Sequence, residues 1–323
     1  MTVSNMTKRD IGLVKMNEEL ELIKEVLDSK CLSGFLASPG EGFMGGKMVK
    51  RLEGMFKEYF GVKHALAVNS ATSGLECAVK AVTEPGDEVI VTPFSMSASA
   101  TCIVHAGCKP VFVDIEDRTF NIDATKIEEA ITDKTTAIIA VHLFGNPCDM
   151  DTIGDVAQQY DLRVIEDCAQ ALDVWYRGLW RLGTLSGVGV FSFNQYKTLN
   201  TGEGGMVITD NNALAIRIAE MRNHGEIIGT IFGHNYRMTE LTAAVGVARF
   251  KPPFPDYPVR AFRVDKKKRK EYAKMLRECG FTVSEGYVKP IYLLPAFQEM
   301  GYKKGLCPVA ERMYYEELLT VRL

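Results

Sequence analysis

Between residues 64 and 209 the chain alternates short apolar runs with segments of helical spacing, and this rhythm constrains the fold more than any other feature. The runs are His64–Asn69, Glu88–Thr92, Pro110–Ile115, Ala137–His142, Arg163–Asp167, Val188–Phe193 and Met206–Thr209. Their length and their bulky apolar residues suit strands buried on both faces. Segments 73–83, 96–106, 123–132, 150–160 and 212–222 have helical spacing and separate most of the runs. The pattern predicts an α/β fold: a mostly parallel, seven-stranded central sheet with helices on both faces. Such sheets bind ligands beyond the carboxyl ends of their strands. The residues that follow each run are therefore the ones to search for chemistry.

The flanks read differently. Residues 17–30 suit an amphipathic helix, 31–46 an irregular loop, and about 46–59 a second helix. A proline-rich stretch, 252–258, marks a boundary between a large domain, 1–250, and a small C-terminal α/β domain, 251–323. Within the latter, Val264–Cys279 reads as a helix and Phe281–Ser284 as a strand. A net charge of −3 gives no electrostatic case for nucleic acid or an anionic membrane. The basic run Lys266–Lys270 reads as a solvated helix face in preference to a phosphate patch. Eight cysteines without a C-x-x-C pair imply buried thiols in a reducing compartment. No signal-peptide core is apparent, and no apolar run approaches the roughly 20 residues that span a bilayer. A cytoplasmic protein is expected.

One strand end stands out. The run Val188–Phe193 delivers Lys197 into a loop that closes on Gly202, Gly204 and Gly205. Most lysines are solvated surface charges. This one follows Phe191 and Phe193 and precedes glycines that let the backbone approach a ligand, which suits an amine that forms a Schiff base. Two other strand ends are ambiguous by themselves. Asn69-Ser70-Ala71-Thr72-Ser73-Gly74 is a helix start that serves equally as a phosphate site or an ordinary cap. Asp167, in Val164-Ile165-Glu166-Asp167-Cys168-Ala169-Gln170, either pairs with a positive group such as a protonated ring nitrogen or caps the next turn. Phe232–Glu240 is a polar loop before a small-residue helix, with Thr239 as a natural cap or with the loop reaching a ligand across a subunit boundary. Gly40–Met48 only superficially resembles a phosphate loop, since no Ser or Thr follows its lysine. The five histidines lack metal-ligand spacing, and His142 reads as a hydrogen-bonding residue. Neither a G-x-G-x-x-G after the first strand nor a G-x-S-x-G elbow is present.

Taken in order, NSATSGL, GDEVIVTP, PVFVDI, VHLFGNPCDMD, VIEDCAQA, GVFSFNQYKTLNTGEGG, RNHGE and HNYRMTELTAAVG resemble the DegT/StrS family of sugar aminotransferases from about Leu32 to Ala248. The resemblance implies pyridoxal 5'-phosphate as cofactor and the aspartate aminotransferase-type fold. It implies that Lys197 binds the cofactor covalently and that Asp167 pairs with its ring nitrogen. Gln170 would lie near the ring or its phenolic oxygen, and Ala71, Thr72 and Ser192 would hold the phosphate. Asn235 would reach the phosphate in a neighbouring subunit, so that a homodimer completes the site. The expected reaction carries an amino group from an amino acid, usually glutamate, to a keto sugar, usually nucleotide-linked.

Three features depart from the family pattern. Met96 stands where many relatives place an aromatic residue over the ring, with Phe94 as a possible substitute. Ser186-Gly187 replaces a common Gly-Asp pair. The long helix that normally follows AAVG is reduced to the proline-rich stretch, so the C-terminal domain reads as shortened. Alternatives are a keto-cyclitol aminotransferase and a truncated, non-catalytic homologue that binds the cofactor. A sugar dehydratase of the same family carries histidine in place of the lysine, which Lys197 argues against.

Overall fold

The structure, a computed structural model, describes the backbone from residue 8 to 323 and side chains from residue 18. The first seven residues, part of the segment read above for a signal peptide, lie outside it. In chain order the helices are α1 (Lys8–Ser29), α2 (Lys47–Phe60), α3 (Ala71–Val82), α4 (Ala98–His105), α5 (Met150–Gln159), α6 (Asn212–Arg222), α7 (Glu240–Arg249), α8 (Arg269–Glu278), α9 (Pro295–Glu299) and α10 (Pro308–Arg312). The strands begin with β1 (His64–Val68), β2 (Glu88–Val91), β3 (Lys109–Phe112), β4 (Thr135–Val141) and β5 (Arg163–Asp167). A short hairpin follows, β6 (Trp175–Tyr176) and β7 (Trp180–Arg181), then β8 (Val188–Ser192) and β9 (Gly205–Thr209). β10 (Val259–Arg263), β11 (Thr282–Glu285) and β12 (Leu318–Arg322) complete the set.

The seven apolar runs form one sheet in the order β1-β9-β8-β5-β4-β2-β3. The β8-β5-β4-β2-β3 pairs are parallel, and β9 is antiparallel to both of its neighbours. Alternate residues of each strand feed opposite cores. Leu66, Val68, Val89 and Val91 pack with Leu75 and Val79 of α3 and Ile218 of α6. Ala65, Ala67 and Ile90 pack with Leu52 and Phe56 of α2, Ile153 of α5 and Val247 of α7. This two-sided burial explains why the strands read as near-continuous apolar runs.

The flanking elements differ more from the sequence reading. Segment 123–132 is not one helix but two 3-10 turns, Ala124–Lys126 and Glu128–Ala130. Ala124 and Ile127 are driven into the core there, and that tertiary demand overrides helical propensity. Helix α4 starts at Ala98, not residue 96, and leaves Met96 in the preceding turn. In the basic run the lysines are exposed, but Arg269 is buried and donates to the carbonyls of Tyr314, Tyr315 and Leu318. It closes the last turn before β12, so the run is not a purely solvated face.

Strands β10, β12 and β11 make a separate antiparallel sheet with α8 against it. Its own buried core is Ala273, Val283, Leu319 and Val321. Ile291, Tyr292, Leu293 and Phe297 pack instead into the main core. The C-terminal segment is thus stitched to the sheet that carries the site. Among the described residues no helix is long and apolar enough to cross a membrane.

Candidate active site

β5 and β8 are parallel neighbours with Asp167 opposite Val190. Their ends bring Asp167 and Ser192 to the same edge of the sheet. Beyond Ser192 the chain makes a tied loop before returning as β9. Phe193 N–H donates to the Gly204 carbonyl (2.9 Å), Gln195 N–H to Gly202 (2.8 Å) and Thr201 N–H to Phe193 (2.8 Å). Gly204 has φ +150°, a conformation a side chain would resist, and this lets the return strand form. Phe193 and Leu199 are buried and anchor the loop. Lys197, between them, points into a cavity of about 510 Å³.

Ala71, Thr72, Met96, Asp167, Gln170, Ser192 and Lys197 all line this cavity. Burial lowers the pKa of the Lys197 ammonium, and the Asp167 charge opposes that effect. The Tyr257 ring lies 5.3 Å from Lys197 Nζ. Asp167 is 3% exposed, and its two oxygens accept from the Ser99 hydroxyl (2.8 Å) and Ala169 N–H (3.1 Å). Each oxygen keeps acceptor capacity for a further donor. The Gln170 carbonyl oxygen accepts from Phe144 N–H (2.9 Å), and its amide nitrogen donates to the Tyr287 hydroxyl (2.8 Å).

The anion end of the cavity is the start of α3, which begins at Ala71, two residues earlier than the sequence predicts. Ser70 caps it by accepting from Ser73 N–H (3.1 Å). The N–H groups of Ala71 and Thr72 have no acceptor within the helix. β9 passes close beneath: a Cβ at Gly205 would lie 2.7 Å from Ala71 N. An amine, a buried carboxylate and an open helix start therefore face one space, as a ligand with an aldehyde, a basic ring nitrogen and a phosphate requires.

Asn235 does not join them. It is exposed, on the loop before α7, and does not line this chain's cavity. Met96 lines the mouth at 62% exposure, whereas Phe94 is fully buried against Tyr287 (5.9 Å between rings) and is not free to cover a ligand. Ser186 binds the Glu166 carboxylate through its N–H (2.9 Å) at the other end of β8, so the Ser186-Gly187 departure lies away from the cavity. His142 is a hydrogen-bonding residue: its Nδ1 accepts from Cys148 N–H (3.1 Å) and its Nε2 meets Glu166 (3.2 Å). His142, Glu166 and Cys168 lie close enough to bracket a metal, but internal donors already claim the Glu166 oxygens.

The DegT/DnrJ/EryC1/StrS aminotransferase family profile matches residues 19–252. The chain belongs to this family. It is 43% identical over 212 residues to the GDP-perosamine synthase of Caulobacter vibrioides, covering 64% of this chain and 57% of that protein's length. A pleiotropic regulatory protein of Geobacillus stearothermophilus is 33% identical over 351 residues, covering 96% of this chain and 92% of its own. That alignment is longer than this 323-residue chain, so the relative carries residues inserted within the matched region. Among solved structures, NtdA of Bacillus subtilis with bound cofactor PMP superposes with a TM-score of 0.82 at 26% identity, over 95% of this chain and 78% of that one.

The sequence reading missed Ser99, Tyr257 and Tyr287. Ser99 lies in a run of small residues with no distinguishing spacing. Tyr257 lies in the stretch read as a linker, and Tyr287 follows β11. Packing of the C-terminal segment against the main core brings both to the cavity.

Proposed function

We propose that the protein is a pyridoxal-phosphate-dependent aminotransferase that moves an amino group from an amino acid, glutamate first, to a nucleotide-linked keto sugar. The observation that carries this reading is the half-buried amine of Lys197, lowered in pKa by burial, sharing one cavity with the buried carboxylate of Asp167. Membership of the family, the perosamine synthase relative and the PMP-bound structural neighbour support it. When bound, the cofactor supplies an electron sink for charge that develops on the substrate carbon. The chain supplies the rest. Asp167, steadied by Ser99 and Ala169, keeps the ring nitrogen protonated. The Ala71 and Thr72 N–H groups and the Ser192 hydroxyl hold the phosphate. Gln170, fixed at both ends of its amide, lines the cavity and would flank the ring. Lys197 would move the proton between the substrate carbon and the cofactor's C4′, with its lowered pKa keeping the free amine competent as a base. Asn235 completes the phosphate site of a second copy.

A second reading is a non-catalytic homologue that binds the cofactor, which the existence of a relative named as a regulatory protein supports. One experiment separates the two. The purified protein should be yellow, and Lys197→Ala should lose the absorbance of lysine-bound cofactor. Glutamate should then bleach the wild type, and one member of a panel of nucleotide keto sugars and keto-cyclitols should restore the colour. Yellow protein that no amino acid bleaches would favour the second reading, and colourless protein that ignores added pyridoxal phosphate would refute both.

A further inference from the structure

Helix α3 offers its first turn to the cavity. On its second turn it carries Glu76, a 4%-exposed carboxylate to which the reaction assigns no part. Four side chains converge on it. Lys80 Nζ lies 2.6 Å away, the Tyr236 hydroxyl donates at 2.8 Å, His234 Nε2 lies at 3.4 Å and His105 Nδ1 at 3.6 Å. The His234 and Tyr236 rings stack on each other, 4.7 Å between centroids and 17° between planes. Burial would raise the Glu76 pKa, but hydrogen bonds from Lys80 and Tyr236, with the charge of Lys80, outweigh it and hold the carboxyl below its usual value.

His234 and Tyr236 are the residues on either side of Asn235. The segment is extended: Asn235 bridges Asn223 and Arg237 bridges Val68, while Asn69 N–H donates to the Tyr236 carbonyl at 2.8 Å. Successive side chains of an extended segment point to opposite faces. Because Glu76 holds Tyr236 directly and His234 through Lys80, whose Nζ lies 3.0 Å from His234 Nε2, the two outer residues share one face and Asn235 projects from the other, toward solvent. Arg237 Nε donates to Asn235 Oδ1 at 2.9 Å. A guanidinium only donates, so this contact fixes which way the amide points and turns Nδ2 outward.

We propose that Glu76 is a positioning residue for Asn235: by clamping both neighbours it presents the Asn235 amide as a donor to a phosphate oxygen in the site of a second copy of the chain. The inference rests on the reading of Asn235 given above. It gives one helix two tasks, since α3 opens its own phosphate site with Ala71 and Thr72 and anchors the strand that completes its partner's.

A merely structural role for Glu76 would damage the site of its own chain, whereas a positioning role acts on the partner. Two hybrid dimers, assembled from differently tagged chains, separate these. Lys197→Ala on one chain leaves one site per hybrid able to link the cofactor, and the visible absorbance on titrating apo-protein reads the affinity of that site alone. With Glu76→Ala on the chain that keeps Lys197, affinity should stay at the control value. With Glu76→Ala on the Lys197→Ala chain, affinity of the wild-type chain's site should fall roughly tenfold, the scale of one lost hydrogen bond to a charged group. Tyr236→Phe, which keeps the stacked ring, should give a smaller fall in the same arrangement and serves if Glu76→Ala does not fold. Equal affinities in the two hybrids, or a fall only when the substitution shares the chain of the intact site, would overturn the proposal. Asn235→Ala in the second arrangement is the reference: a fall there without one for Glu76 or Tyr236 defeats this inference alone, and no fall there defeats the reading of Asn235 itself.

Discussion

Glu166 and Asp167 are adjacent, both buried at the end of the same strand, and they have opposite fates. Glu166 accepts from Gly183 N–H (2.7 Å), Leu185 N–H (2.9 Å) and Ser186 N–H (2.9 Å) and also meets His142. Nothing is left for a ligand, and the carboxylate works as a knot that ties the 183–186 turn to β5. Asp167 takes one donor per oxygen and keeps room for another. The two helix starts tell the same story. The N–H groups of Met48 (2.7 Å) and Val49 (3.4 Å) at the head of α2 are claimed by the buried Glu240 carboxylate, whereas the head of α3 opens on the cavity. The Gly40–Met48 loop that superficially resembles a phosphate site is thus filled from within. Burial and charge do not mark a functional group by themselves; unspent hydrogen-bonding capacity facing a cavity does.

The comparison can be broken most directly by replacing each carboxylate in turn. Asp167→Asn keeps an oxygen to accept from Ala169 N–H and an amide N–H that can donate to the Ser99 hydroxyl, but removes the charge opposite the ring nitrogen. It should lower kcat/KM by on the order of 10²–10³, with little change in melting temperature. Glu166→Ala should do the reverse: it strands one buried and two part-buried backbone N–H groups, and stability should fall by about 3 kcal/mol. The folded fraction should still bind cofactor. Denaturant melts beside single-turnover rates read both. If Glu166→Ala spared stability and abolished turnover, the division between knot and site would be wrong.

Much of this was legible in the sequence because it is local to strand ends. Each of Ala71, Thr72, Asp167, Ser192 and Lys197 sits at or just beyond the carboxyl end of an apolar run, and the parallel sheet carries all of them to one edge. What stayed hidden depends on contacts between distant segments. Tyr257 and Tyr287 reach the cavity because their own segments pack against the main core, Tyr257 as a buried member of it. Arg269 sits in a run of lysines, and only the facing carbonyls of residues 314–318 reveal it as buried. The split of segment 123–132 into two 3-10 turns follows from burying Ile127, which periodicity alone does not foresee.

The smallest effect sharpens the comparison furthest, because it asks what an open site costs. Lys197 is partly desolvated beside Tyr257, and its pKa is lowered in spite of Asp167. A lysine with a lowered folded pKa binds its proton less tightly in the native than in the unfolded chain, so it destabilises the apo-protein wherever the unfolded form is charged. The penalty is full below the folded pKa. It shrinks as pH rises from there and vanishes above the unfolded value of about 10.4. Lys197→Met, which fills the same space without charge, should therefore raise the apo-protein's stability at neutral pH. The gain over wild type should dwindle as pH climbs toward the unfolded lysine value. Paired thermal melts of the two apo-proteins across that range read it. A gain that stayed constant with pH would trace to packing alone, and the claim that this site holds an amine under tension for its ligand would lose its footing.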